Sequence, residues 1–394
     1  MGIFSKAKSK DELILVFNIG SEAVGGALFR AQKSGIPKII FSAEETIQIE
    51  EKIDIDKFLS LTLQSLEAVA NKIYIAKLGA PSRVFCVLSS SWYVSETRII
   101  NFKKNTPFVF SAKLADELVQ REIKLFEEEH SVKYNEHINN KVRTIELKNI
   151  KTVLNGYETA KPLNQKAKEL EITIFISTSG EQILKKIEDV IRKYFHSGPI
   201  KFSSFTMASF AVVRDMQPSR ENFLLIDIGG EVTDVSMVKE NILRESISFP
   251  LGRNFLIRGV AGRLGCTLSE ANSLISLFKD GHAEEATAKK LASIMGQLKA
   301  EWLKRFQESL ANISHDISIP AIIYMATDKD LADFFSETIK TEQFSQYTLT
   351  ESKFEVIPLS TQILHGIAAF EESVIREPYL IIDSIYINRF LIKI

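Results

Sequence analysis

Two stretches of the sequence share one pattern, in which an apolar strand leads into a glycine turn and a second apolar strand follows. The first covers residues 13–30 and the second covers residues 223–239. They align without a gap when Asn18 is placed on Asp227, and Gly20 then falls on Gly229 while Ser21 falls on Gly230. Repeats that lie far apart in a chain indicate a duplicated structural unit. The sequence therefore predicts two related lobes whose turns face each other across a cleft.

The second copy carries polar groups that suit a phosphate and a divalent cation. Asp227 stands at the carboxyl end of an apolar strand, and Thr233 and Asp234 open the next strand. Glycines let backbone N–H groups approach an anion, and a carboxylate can hold a metal ion or its waters. We therefore predict a ligand site with Asp227 on the metal, and its candidate residues are Asp227, Gly229, Gly230, Glu231, Thr233 and Asp234. The alternative is an ordinary β-hairpin with a Gly-Gly turn.

Length, charge and cysteine content exclude several classes of protein. A chain of 394 residues suits two or more domains. Its 49 basic and 50 acidic residues give a net charge of −1, so we expect no nucleic-acid partner. The two cysteines, Cys86 and Cys266, are too few for a disulfide framework. No apolar run has the length of a membrane span, so we expect a cytoplasmic protein, or one at the inner face of the cell membrane.

The order of predicted elements divides the chain into a core and an insertion. Residues 83–197 are predicted to form a strand, a helix, further strands and a helix, which make a small α+β unit between the two copies. Residues 12–82 and 198–394 alternate strands and helices, as an α/β core does, and the second lobe covers about 219–358. We expect residues 1–11 to be a flexible N-terminus.

Capping and turn signals predict the bounds of several elements. Asp54 or Asp56 is expected to cap the first helix, and Ser269 is expected to cap a helix of the second lobe. The polar stretch His130–Asn140 is predicted to be a loop. Thr361–Val374 is predicted to be a helix because its apolar residues recur at helical spacing.

The segment Tyr379–Ile394 is strongly apolar and rich in isoleucine. Its β-branched content favours a terminal strand or a segment that docks on a partner. The alternative is a membrane-binding tail, because two basic residues, Arg389 and Lys393, are interspersed among the apolar ones. We also expect the lysine-bearing N-terminus to be solvated rather than bound to a membrane.

This arrangement resembles the actin-like ATPase superfamily, and within it the FtsA and PilM type of bacterial cell division and type IV pilus assembly. The two hairpins resemble the family's two phosphate motifs. Residues 207–213 resemble the helix before the second motif, and residues 250–258 resemble the segment after it. The resemblance implies an α/β fold with a duplicated actin-like, ribonuclease H-like core. The insertion of residues 83–197 takes the place of the small α+β subdomain that FtsA and PilM carry.

The resemblance also implies a site for ATP and Mg²⁺ in the cleft. It adds Gly20, Ser21 and Gly252 to the candidate residues as contacts of the nucleotide. The family's first phosphate motif carries an aspartate that serves the metal, and this chain has Asn18 there. A neutral amide is a poorer partner for Mg²⁺ than a carboxylate. We therefore expect hydrolysis to suffer more than phosphate binding.

Other departures from the family pattern lie where the nucleoside is expected. Asn272 and Ile275 replace a glutamate and a lysine that contact the nucleoside in the family. Ala326 and Thr327 replace a glycine pair against which adenine lies, so their side chains would crowd the base. Arg253 stands where a second glycine is usual. Together with Asn18, these residues count against tight binding of ATP and Mg²⁺.

The resemblance implies an FtsA-like protein that acts as a membrane-proximal scaffold in cell division, with weak or degenerate ATP binding and at most a weak ATPase activity. The first alternative is a PilM-like component of type IV pilus assembly. An alternative from another class is an active actin-fold ATPase or kinase. The partners implied are division or pilus-assembly proteins, with self-assembly into filaments and membrane contact through a terminus as further expectations.

Overall fold

The computed structural model describes residues 12–134, 141–196, 198–314, 318–341 and 353–392, and its strands form three sheets. The strands are β1 Leu13–Ile19, β2 Ala23–Arg30, β3 Lys38–Thr46, β4 Arg83–Leu88, β5 Val94–Val109, β6 Val142–Leu154, β7 Tyr157–Glu158, β8 Lys166–Gly180, β9 Ile200–Ser204, β10 Phe223–Ile228, β11 Thr233–Lys239, β12 Ile242–Phe249, β13 Ile322–Thr327, β14 Glu355–Pro358 and β15 Ala369–Phe370.

Helices cover both faces of the two larger sheets. They are α1 Ile55–Ile75, α2 Ala112–Tyr134, α3 Glu181–Arg192, α4 Phe205–Met216, α5 Arg253–Leu264, α6 Leu268–Lys279, α7 Glu285–Ser314, α8 Ala332–Lys340 and α9 Pro378–Tyr386. A 3₁₀ turn covers Ser90–Trp92, and a π-helical turn, Ile387–Leu391, continues α9. None of the described helices is both long enough and apolar enough to cross a bilayer.

The first lobe is built on a six-stranded sheet in the order β15-β3-β2-β1-β4-β9. Its central strand β1 pairs antiparallel with β2 and parallel with β4. Leu15 and Phe17 pack toward α1 and α3, while Ile14 and Val16 pack toward α4 and α9. Because helices cover both faces, β1 has apolar residues at successive positions instead of the alternation of a half-exposed strand.

The second lobe repeats this arrangement in a five-stranded sheet with the order β12-β11-β10-β13-β14. Strand β10 pairs antiparallel with β11 and parallel with β13, as β1 does with β2 and β4. Helices α5 to α8 cover one face of the sheet. The duplicated α/β core that the sequence predicts is therefore confirmed.

A third, four-stranded sheet is inserted in the sequence between β4 and β9 of the first lobe, with the antiparallel order β5-β8-β6-β7. Helix α2 packs on it through Leu118 and Phe126. Strand β4 pairs in the first sheet, and α3 joins the first-lobe core through Leu184 and Ile187. The domain division stays a prediction, and we propose that the insertion proper covers residues 94–180 rather than 83–197.

Two of the predicted helix starts can be compared with the capping contacts. The side chain of Asp54, and not Asp56, caps α1 by accepting a hydrogen bond from Lys57 N at 2.8 Å. The prediction of Ser269 as a cap is wrong, because Thr267 holds that position. The Thr267 hydroxyl accepts from Glu270 N at 3.2 Å, and the Glu270 carboxylate accepts from Thr267 N at 2.8 Å. This reciprocal pair is a capping box.

Two further boundaries differ from the sequence predictions. Helix α2 continues to Tyr134, so the loop predicted over His130–Asn140 is wrong in its first five residues, and residues 135–140 lie outside the described part of the chain. The helix predicted over Thr361–Val374 is replaced by turns and the short strand β15. Gly366 has a φ of 86°, which interrupts a helix, and Ala369 N donates to Pro37 O at 2.9 Å beside β3.

The apolar C-terminal segment is helical, so the prediction of a terminal strand is wrong. Glu377 caps α9 through Leu380 N at 2.7 Å, and Pro378 occupies the first turn. The side chains from Leu380 to Ile387 are buried between the first sheet and α4. Burial on all sides therefore outweighs the strand preference of isoleucine. It also leaves α9 without the exposed apolar face that a membrane-binding tail needs.

Shortening a buried side chain of α9 should destabilise the whole protein. Ile385 is fully buried in the first-lobe core, so Ile385→Ala should lower the free energy of unfolding by about 2–5 kcal/mol. Ile375, which is 66% exposed, gives the matched control, and Ile375→Ala should change stability by less than about 0.5 kcal/mol. Urea denaturation measures both, and equal stabilities of the two variants would contradict the core position of α9.

Candidate functional site

The glycine turns of the two lobes touch each other. The Ser21 hydroxyl in the first turn accepts a hydrogen bond from Glu231 N in the second turn at 3.0 Å. A Cβ atom on Gly230 would lie 2.6 Å from the Ser21 carbonyl oxygen, so any side chain there would push the turns apart. The glycine at position 230 is therefore required for contact between the lobes, whether or not a phosphate binds there.

The start of α5 closes onto the second turn. Arg253 N donates to Gly229 O at 2.9 Å, and Asn254 N donates to Gly230 O at 2.8 Å. A side chain at Gly252 would overlap the Gly229 carbonyl, which explains why this position has a glycine. The first amides of α5 thus bind the turn's carbonyl groups. A helix N-terminus whose amides are satisfied in this way has fewer donors to offer an anion.

A cavity of about 600 Å³ lies between the lobes, beside the two turns. Four of the predicted site residues line it, namely Gly20, Ser21, Asp227 and Gly229. Asn18, Asn272 and Thr327, three of the departures from the family pattern, line it as well. Ile275 and Ala326 are buried behind it. The volume is in the range of pockets that hold small ligands.

The other predicted site residues are engaged within the protein. The Thr233 hydroxyl donates to Leu251 O at 2.7 Å and accepts from the Trp302 indole at 3.2 Å, so it is satisfied inside the second lobe. Glu231 forms a bidentate ion pair with Arg258, both contacts being 2.7 Å. The Ser248 hydroxyl donates to the carboxylate of Asp234, which packs behind Asp227. Thr233 therefore does not line the cavity, and its assignment to a ligand stays a prediction.

Asp227 is a half-buried carboxyl group that accepts a hydrogen bond from the C-terminal helix. Burial raises its pKa well above the usual range, and the nearby charge of Asp234 raises it further. The Tyr379 hydroxyl donates to Asp227 Oδ1 at 2.9 Å. Burial also raises the pKa of Asp234 to about 6. Asp227 thus shares its buried site with a second acid and a phenol.

Asn18 is hydrogen-bonded to α9. Its amide Nδ2 donates to Asp383 Oδ2 at 2.8 Å, and both residues are buried. Burial raises the pKa of Asp383 well above the usual range, while the Asn18 hydrogen bond opposes that rise. Among the described residues, Asp383 Oδ1 has no hydrogen-bond partner. A neutral Asp383 would avoid the cost of an unpaired buried charge.

Arg253 joins the two lobes across the cavity. Its guanidinium lies 2.8 Å from the Glu22 carboxylate in the first lobe. On the second-lobe side, it donates to Asn272 Oδ1 at 3.1 Å and lies 3.6 Å from the Asp328 carboxylate. Burial raises the pKa of Glu22 well above the usual range, and Arg253 opposes that rise. The sequence identifies Arg253 as a departure but does not predict these contacts.

The residues present do not fit ATP and Mg²⁺ well. Asn18 is bonded to Asp383, Asp227 is bonded to Tyr379, and Arg253 extends through the part of the cavity near Asn272. Within residues 12–392 as described, no three His, Cys, Asp or Glu side chains are grouped as metal ligands. The assignment of a metal to Asp227 and of the remaining residues to a nucleotide stays a prediction.

The sequence reasoning missed most of the acidic residues around the cavity. Glu22, Glu44, Asp328 and Glu377 all line it. Glu22 lies in the first turn and Asp328 directly follows β13, and both of these elements were predicted from other residues. No local pattern therefore marks these two acids as cavity residues. Asp383 did carry a signal, because it is a single acid within the apolar run Leu380–Ile385. An acid in such a run is expected to be buried with a polar partner.

The sheet order, the duplicated hairpins and the inserted sheet define an actin-like ATPase fold of the PilM type. PilM, from a structure of a PilM–PilN type IV pilus biogenesis complex, is similar with a TM-score of 0.60 and 14% identity over 96% of each chain. The ethanolamine utilization protein EutJ from Carboxydothermus hydrogenoformans aligns with a TM-score of 0.44 and 10% identity, over 95% of this chain and 89% of that one. No protein-family model and no curated protein matches the sequence.

The acid at the start of α9 should make stability depend on pH. The pKa of Glu377 is raised from 4.5 to about 8, chiefly by burial and also by the charges of Glu44 and Asp328, although hydrogen bonds from backbone amides oppose the rise. The folded protein then binds this proton more tightly than the unfolded chain does, so stability falls as pH rises from about 4.5 to about 8.

Glu377→Gln should remove this contribution. The variant should match the wild type near pH 5 and be more stable by about 1–2 kcal/mol near pH 8, since the side chain is only half-buried and solvent screens part of the effect. Urea denaturation at several pH values measures the difference. The exposed Glu372 provides the control, because Glu372→Gln should keep the wild-type profile. A constant gap between Glu377→Gln and the wild type at all pH values would contradict the assignment.

Proposed function

We propose that this chain is a PilM-like component of type IV pilus assembly that acts in the cytoplasm as a scaffold for membrane-associated partners. The observation that carries the proposal is the similarity to PilM over 96% of both chains, which includes the inserted subdomain. That neighbour was solved as a PilM–PilN complex, so a chain of this shape can hold a pilus-assembly partner. The FtsA-like role in cell division has no comparable support.

An active ATPase or kinase is less well supported than a scaffold. Chemistry on a phosphate needs a metal held by free carboxylates and an oriented water. Asp227 receives a hydrogen bond from Tyr379, and the first hairpin offers Asn18 in place of an acid. Any nucleotide that enters the cleft would therefore be bound weakly and turned over slowly. Self-assembly into filaments and contact with a membrane surface remain further predictions of the family resemblance.

A second cavity, of about 570 Å³, is our candidate surface for the partner. It lies where β6 of the inserted subdomain meets β9 at the edge of the first sheet, and α3 borders it. Its lining combines apolar side chains with four basic ones, which are Arg143, Lys148, Arg192 and Lys201. A partly apolar groove with polar groups at its margin suits a peptide segment of a partner protein.

Deleting the gene in its own host should separate the pilus role from the division role. We expect the deletion strain to lose surface pili while its cell length stays normal, because a pilus scaffold is not needed for division. Electron microscopy of the cell surface and measurement of cell length give the two results. Filamentous cells with a normal number of pili would instead support the FtsA-like alternative.

The partner surface can be tested by reversing exposed charges. Lys201 and Arg192 line the second cavity and are exposed, so Arg192→Glu combined with Lys201→Glu should reduce piliation and co-purification of pilus-assembly proteins at least about tenfold without unfolding the protein. Lys185 and Lys186, also exposed on α3, do not line the cavity. Their combined change to glutamate is the matched control, and an equal loss in both double variants would refute the surface.

A further inference from the structure

We propose that Arg253 is a built-in occupant of the cleft, which fills the nucleoside part of the cavity and ties the lobes together where nucleotide-binding relatives use a ligand. The proposal concerns access to the cleft, and it stands whether the protein serves pili or another assembly. It explains in one step why a chain with two well-formed glycine turns carries an arginine at the first position of α5.

The Arg253 side chain lies along the wall of the cavity. The Arg253 backbone is fixed by its hydrogen bond to Gly229 O, so its side chain starts at the wall of the cavity beside the second turn. From there the guanidinium reaches Asn272 on α6 and Asp328 after β13. It therefore spans the wall opposite the first lobe. The volume that it takes is no longer open to a planar base or a sugar.

The contacts of the Arg253 guanidinium are charge-assisted and come from both lobes. The side chain is only 15% exposed and pairs with Glu22, whose side chain is 18% exposed, at 2.8 Å. Charge-assisted hydrogen bonds from arginine are stronger and more directional than neutral ones. A ligand that displaces the guanidinium would take its positive charge away from Glu22 and Asp328, two acids in contact with each other, at a cost in electrostatic free energy. That cost opposes the entry of any nucleoside.

The two lobes are held together by direct contacts between their residues. Besides Glu22–Arg253, the Ser21 hydroxyl accepts from Glu231 N, and Arg258 Nε donates to Glu50 O at 2.7 Å. Each of these contacts joins a first-lobe residue to a second-lobe residue. The protein thus reaches a closed arrangement through its own side chains. A ligand is not needed to bring the two turns together.

Removing the side chain should open the cavity to a nucleoside. The test compares the wild type with Arg253→Gly and Arg253→Ala, using isothermal titration calorimetry with adenosine and with ATP plus Mg²⁺. Adenosine is uncharged, so its binding reports the space that Arg253 fills rather than the acidity of the cleft. Both variants should bind adenosine at least about tenfold more tightly than the wild type, because a competing internal occupant lowers apparent affinity by the fraction of open molecules.

Glu22→Gln combined with Arg253→Gly keeps the net charge of the cleft and should bind ATP more tightly than Arg253→Gly alone. Arg263→Ala changes an exposed arginine of the same helix and should behave as the wild type. Far-ultraviolet circular dichroism verifies folding. If the Arg253 variants do not fold, Glu22→Gln alone replaces them in the titration, because it weakens the Glu22–Arg253 ion pair without changing a residue of α5. Equal or weaker adenosine binding by the folded variants would overturn the proposal, and weaker ATP binding would show that Arg253 contacts the ligand.

Discussion

The direct contact between the two glycine turns is the constraint on which the rest of the architecture depends. Hairpins from both sheets reach the lobe boundary, and only a glycine at position 230 lets the two backbones meet at the separation seen between Ser21 and Gly230. The start of α5 then docks on the carbonyl groups of the second turn. Arg253 at the start of α5 and Glu22 beside the first turn are thereby placed on opposite sides of the cleft, where their side chains pair.

Acidic groups dominate the interior that surrounds this contact. Asp227, Asp383 and Glu22 have pKa values raised by burial, and their neighbours are a phenol, an amide and a guanidinium. Such groups are tolerated because each has a hydrogen-bond donor or can keep its proton. Tyr379 of α9 and Asn18 of β1 are neutral donors to Asp227 and Asp383, and Arg253 supplies a positive charge beside Glu22.

Local patterns in the sequence were sufficient for much of the fold but not for the site. The hairpins were predicted correctly because strand, glycine turn and strand are adjacent in the chain. The helix α9 was missed since its conformation comes from burial against residues more than 350 positions away, which no local propensity encodes. The role of Arg253 was missed for the same reason, because its partners come from three separate elements.

The position of α9 in the first-lobe core has a consequence for synthesis of the protein. Strand β1 is synthesised before the helix that covers one of its faces, and the two are separated by 365 positions, counted from Asn18 to Asp383. One apolar face of the first sheet therefore stays exposed to solvent until the inserted subdomain and the second lobe have been synthesised. During that interval the nascent chain resembles an aggregation-prone intermediate. Its final folding step couples completion of the first core to closure of the cleft.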